Sequence, residues 1–144
     1  MSYENSSAKA SRLLQFGATA IVVLSLGACA TAPVPVPKAD FPEITPVSSA
    51  VPKECAALLG GWAGTWPYGN FGQLRLWVTA IDPSCTATYT YNGRSGTETI
   101  TKGTLKVPCG GGTCYFSPSG DGLAASYSES ATQRTTFGRI IPAS

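Results

Sequence analysis

Cys85-Thr86-Ala87-Thr88-Tyr89-Thr90-Tyr91-Asn92-Gly93 decides the fold. Cys85, Ala87, Tyr89 and Tyr91 alternate with Thr86, Thr88 and Thr90. Period-two alternation rich in Thr and Tyr is the pattern of a half-buried strand, because successive side chains leave a strand on opposite faces. Asn-Gly then supplies two residues that tolerate positive φ, the requirement of a tight hairpin.

The same grammar extends in both directions. Gln73 to Ile81 sets Leu74, Leu76, Val78 and Ala80 on one face and Gln73, Arg75 and Thr79 on the other, with Trp77 breaking the polar face as if to cover a neighbouring strand. Leu105 and Val107, then Leu123, Ala125 and Tyr127, then Phe137, Arg139 and Ile141 continue the alternation. Gly60–Trp66, a weaker Thr97–Lys102 and Thr113–Ser117 complete about eight short strands. Tyr68–Gly72, Asp82-Pro83-Ser84, Asn92-Gly93, Gly110–Gly112 and Gly120-Asp121-Gly122 fall between them as turns. Helical periodicity is absent after Leu59. The expected fold is all-β: an eight-stranded antiparallel up-and-down barrel over residues 55–144, whose first and last strands meet and remove both free edges.

The N-terminal third reads differently. Lys9 and Arg12 precede Leu13–Leu26, fourteen residues without a charge. That suits a signal-peptide core and is short for a membrane span, which needs about 20 residues. From Ala30 to Glu54 lie six of the eleven prolines. Proline removes backbone donors and fixes φ, so this stretch reads as a disordered, extended tether with a reach on the order of 70 Å.

Leu26-Gly27-Ala28-Cys29 resembles the lipobox of bacterial lipoproteins. It implies a leader over residues 1–28, cleavage after Ala28, a diacylglyceryl thioether on Cys29 with further acylation (palmitate) of the new N-terminus, and a tether over 29–54. Ala30, a non-acidic residue after the lipid site, implies sorting to the outer membrane. Gly60-Gly61-Trp62 resembles the Gly-x-Trp opening of lipocalin-like (calycin) barrels. There the tryptophan packs at the closed end against a basic residue of the last strand, a part that Arg139 fits here.

Composition narrows the chemistry. Net charge is +2 and only 12% of the chain is charged, which gives no reason to expect nucleic acid. The chain has no histidine, which removes most zinc sites and histidine acid–base schemes. Of five cysteines, the lipobox resemblance assigns Cys29 to lipid. Cys55, Cys85, Cys109 and Cys114 allow three disulfide connectivities. Cys109 and Cys114 flank a glycine turn and can face each other across a hairpin, leaving Cys55 for Cys85.

Catalytic readings are weak. Gly110–Gly112 lacks the Lys-Ser/Thr of a phosphate loop, and no Cys-x-x-Cys opens a helix. No motif supports a Ser–Lys pair on Lys102 or Lys106. A carboxylate pair drawn from Asp82, Glu98, Asp121 and Glu129 has only unknown geometry behind it, and turn aspartates ordinarily cap backbone donors. The expectation is a non-enzyme without cofactor or metal: a lipid-anchored module meeting a protein partner or small apolar ligand at the barrel rim. A hollow interior favours a small ligand, and a filled one favours the rim loops. The alternative is an envelope protease inhibitor. Ala56-Ala57-Leu58-Leu59-Gly60-Gly61-Trp62 resembles the start of small β-barrel metalloprotease inhibitors, in which an N-terminal segment enters the protease cleft. A purely structural surface lipoprotein is the third reading.

Overall fold

A computed structural model describes residues 32–67, 72–127 and 130–142. The leader, the lipobox with Cys29, the Tyr68–Phe71 part of the first rim loop and Glu129 lie outside the described residues. The chain is all-β, with strands β1 (Val34–Val36), β2 (Gly60–Gly64), β3 (Leu74–Ile81), β4 (Thr86–Tyr91), β5 (Arg94–Thr99), β6 (Leu105–Cys109), β7 (Gly112–Ser119), β8 (Gly122–Tyr127) and β9 (Ser130–Pro142). A four-residue helix, α1 (Lys53–Ala56), precedes β2.

Strands β2 to β9 form a nearly closed antiparallel barrel in the order β5-β4-β3-β2-β9-β8-β7-β6. First and last strands meet as the sequence leads one to expect, with Trp62 opposite Arg139 and Ala63 opposite Gly138. Every other neighbour is a hairpin partner in chain order. Asn92 (φ 46°) with Gly93 (φ 79°), and Gly110 (φ 52°) with Gly111 (φ 90°), make two-residue turns whose positive φ values match the strand twist.

One expectation fails at the seam. Closure does not remove both edges, because no ladder joins β5 to β6; their turn closes on a single bridge, Thr101 to Thr104. The cause is in the strands. Arg94, Gly96 and Glu98 sit opposite the buried Tyr91, Tyr89 and Ala87, so the inner face of β5 has no apolar side chain to bury. Pro108 on β6 lacks an N–H. Inward charges and an edge proline are ordinary ways of protecting unpaired strands. The fifth strand also begins three residues earlier than Thr97–Lys102, because the Asn-Gly turn leads straight into it.

The barrel interior is filled. Trp62, Leu76, Val78, Leu105, Val107, Phe116, Leu123 and Phe137 are all buried in one cluster. Edge-to-face contacts run Trp66–Phe137 (6.1 Å between centroids), Phe137–Phe116 (5.2 Å) and Phe116–Tyr91 (5.5 Å). A register shift between Val78 and Ala80 turns Ile81, not Ala80, into that core.

The proline-rich segment is not a free tether. Val34–Val36 pair in parallel with Ile140–Pro142, and Val36 is 1% exposed. Phe41 packs edge-on against Trp77 at 5.1 Å, and Thr45 N–H donates to the Thr79 carbonyl at 2.8 Å. Val36, Ala63, Trp77 and Ile140 form a second apolar cluster. Prolines cannot donate, but Val34 and Val36 between them can, which is enough for a short edge strand. Trp77, the residue that interrupts the polar face of β3, is what this strap covers.

Candidate functional site

The two barrel ends differ. At one, α1 and the turn after it close the opening: Val51, Cys55, Leu58, Ile81 and Ile100 are buried there, and Cys55 is disulfide-bonded to Cys85 (Cα–Cα 5.7 Å). Trp62 Nε1–H donates to the Leu58 carbonyl at 2.9 Å, and the Arg139 guanidinium lies 4.2 Å from the centre of the Trp62 ring. Gly60 makes room for it: a Cβ there would stand 2.9 Å from Arg139 Nη1. Trp62 thus packs against a basic residue of the last strand at the capped end.

Asp82 lies in the β3–β4 turn at this same end. Its Oδ1 accepts from Ser84 N–H (2.9 Å), Ser84 Oγ (2.6 Å) and Thr86 N–H (2.9 Å). These bonds, the Ser84 hydroxyl first, hold its carboxyl below the usual carboxylate range. It is a turn cap. Asp121 lies in the β7–β8 turn and Glu98 on β5, and among the described residues no contact joins these carboxylates. Lys102 sits in the exposed β5–β6 turn, and Lys106 extends over the Tyr115 ring at 5.8 Å. Among the described residues no three Cys, Asp or Glu side chains converge as a metal site requires.

The other end is a mouth. A cavity of about 540 Å3 opens there, lined by Trp66, Leu74, Tyr91, Arg94, Tyr127 and Gln133, and by the Cys109–Cys114 disulfide turn. The β4–β5 turn (Asn92) and the β6–β7 turn (Gly110, Gly111) flank it, so it lies where β5 and β6 part. Trp66 Nε1–H donates to the Tyr91 hydroxyl at 3.0 Å. The Tyr91 hydroxyl lies 4.0 Å from Cys114 Sγ, a disulfide sulfur without a proton, so the phenol is the donor. Burial pushes the Tyr91 phenol up, against the smaller opposing effect of the Trp66 bond. It stays neutral, and the mouth floor is aromatic and uncharged.

Arg94 stands at the edge of this floor, exposed, and among the described residues no carboxylate pairs with it. Tyr127 Oη donates to the Gly110 carbonyl at 3.3 Å, bracing the turn that the Cys109–Cys114 bridge (Cα–Cα 5.8 Å) closes. Cys109–Cys114 is thus the pair expected across the hairpin, and Cys55–Cys85 the pair expected to remain. What sequence reasoning misses is Arg94. It follows a turn signal and so reads as a solvated residue; its cross-strand partner Tyr91 is what turns it toward the mouth. Comparison with protein-family models, with curated proteins and with solved structures finds no match to this chain.

Proposed function

We propose that the chain is a bacterial envelope lipoprotein, held in the outer membrane through lipid on Cys29, whose barrel is a non-catalytic binding module. The Leu26–Cys29 box and the uncharged run before it support export and anchoring. Two disulfides suit an oxidising compartment. The observation that carries the binding reading is the mouth cavity over a filled, aromatic core. A ligand meets the rim and its Trp66–Tyr91 floor, not a hollow interior. Its lining asks for a small ligand with a flat apolar part and one acceptor or anionic group for Arg94.

The test titrates the whole lipidated protein with anilinonaphthalene sulfonate, a probe that combines an aromatic face with an anion. Saturable binding at one site is expected, weakened about tenfold by Arg94→Ala, the loss of one charge-assisted hydrogen bond. Binding that ignores Arg94→Ala and Tyr127→Ala alike would overturn the mouth as the site. The protease-inhibitor reading has less behind it. Val34 to Val51 lie on the barrel and Cys55 is bridged, so the segment that would enter a cleft is already engaged. Stoichiometric inhibition of a secreted metalloprotease would restore it.

A further inference from the structure

We propose that the capped end of the barrel rests on the lipid surface and that the mouth faces away from it. This rests on the reading above that Cys29 carries the lipid. The determining fact is how little chain separates anchor from folded body. Val34 is already paired with Ile140, so five steps along the chain connect Cys29 to a fixed point on the barrel. Five residues span at most about 17 Å even when fully extended, against about 70 Å for the whole proline-rich stretch.

That fixed point is at one end. Ile140 follows Arg139, which lies over Trp62 beside α1 at the capped end. β9 then runs back from Ile140 to Ser130 at the mouth. Ten residues of strand rise cover about 33 Å, or about 25 Å along the axis of a barrel with ordinarily tilted strands. A short leash on one end of a body longer than the leash brings that end to the bilayer.

The surface there suits it. Ile141, at 39% exposure, is the large apolar side chain that stands exposed among the described residues, and it lies opposite Pro35 of the strap. An isoleucine left in water beside a membrane anchor gains by entering the headgroup–acyl boundary. Lys38 and Asp40, both exposed on the turn after β1, balance each other, so no net charge there opposes contact with the headgroups. The strap is held firmly enough to act as a leash, by buried Val36, by Phe41 on Trp77 and by the Thr45–Thr79 hydrogen bond.

Two positions on one strand test this. Ile141→Cys and Arg134→Cys each carry a fluorophore on the full lipidated protein, reconstituted in phosphatidylethanolamine–phosphatidylglycerol vesicles containing a headgroup nitroxide. Mass spectrometry first establishes lipid on Cys29; its absence removes the anchoring reading and this proposal with it. With lipid present, most of the emission is lost at position 141 and none at 134, and a label at Lys38→Cys behaves like 141. Inserting a flexible Gly-Ser stretch between Thr31 and Val34 restores emission at 141 while membrane association persists. Equal quenching at 141 and 134 would mean that the barrel lies on its side, and quenching at neither would mean that it stands clear; either result overturns the proposal. Concentration-dependent dimers that shield position 141 in detergent as well would overturn it too, by assigning Ile141 to a second copy.

Discussion

Gly61 faces Trp77 across the β2–β3 ladder so closely that a Cβ would enter the indole's six-membered ring, and one at Gly64 would stand 2.6 Å from Phe137 Cδ2. Both indole and phenyl are walled in, Trp77 by Phe41 and Phe137 by Phe116 and Trp66. Neither ring can move aside, so overpacking costs are expected in full. Gly61→Ala and Gly64→Ala each lower stability by about 1–3 kcal/mol, read from denaturant midpoints at unchanged m. Tyr91 works through its oxygen as much as its ring. Tyr91→Phe leaves the Trp66 N–H buried without an acceptor, which costs about 1–3 kcal/mol. It also changes the alkaline limb. The raised phenol pKa contributes stability present below the ordinary tyrosine value of about 10 and lost as pH climbs through the folded value. Stability of the Phe variant should therefore fall less steeply over that window than that of the wild type, in denaturation series at increasing pH.

Among the elements, the bridges have different reach. Cys55–Cys85 closes a separation of 30 residues and ties α1 to the start of β4; Cys109–Cys114 closes a separation of 5 within one hairpin. Chain entropy gives about 3.6 kcal/mol for the first and about 2 kcal/mol for the second. Paired Cys→Ala variants should rank accordingly in thermal unfolding, and an equal loss would point to native-state strain. Cys109–Cys114 was legible in the sequence because a hairpin puts near neighbours face to face, and Cys55–Cys85 followed as the pair that remained. The closing pair Trp62–Arg139 was legible only through the resemblance carried by Gly60-Gly61-Trp62, since alternation alone does not say which side chains meet across the closure. The strap was not legible. A Val-Pro-Val-Pro run has no partner of its own, and its docking depends on the bare patch around Trp77, Ala63 and Ile140 that only the assembled barrel creates. Trp77 on a polar face was the visible half of that fact. The open seam escaped for a related reason: a turn signal predicts a hairpin, whereas Arg94, Gly96 and Glu98 reveal an unpaired edge only once Tyr91, Tyr89 and Ala87 define their side.

For the whole molecule, the strap and the seam set opposite extremes of local stability. The barrel is held where β2 meets β9 and where α1 fills the end, and it is released between β5 and β6. In type I′ hairpins the residues flanking the turn pair narrowly, so Tyr91–Arg94 exchange hydrogen bonds, as do Tyr89–Gly96 and Ala87–Glu98. The N–H groups of Ser95, Thr97 and Thr99 consequently point to the seam, where no ladder receives them. Their amides should exchange with solvent orders of magnitude faster than those of Leu76, Val78 and Phe116 in native-state hydrogen exchange. Removing residues 32–44 tests the other extreme. Val36 and Phe41 leave, Trp77 loses its cover, and burial of two such side chains is worth about 3–6 kcal/mol. The shortened barrel should still fold, because its eight strands and both disulfides are intact, but with red-shifted tryptophan emission and a lower melting point. Emission and melting point unchanged from the full chain would mean that the strap rides on the barrel without stabilising it. Protection at Ser95, Thr97 and Thr99 should not respond to that deletion. The strap covers the outer face of β2 and β3, and the seam opens between β5 and β6, so one can be lost without the other being closed.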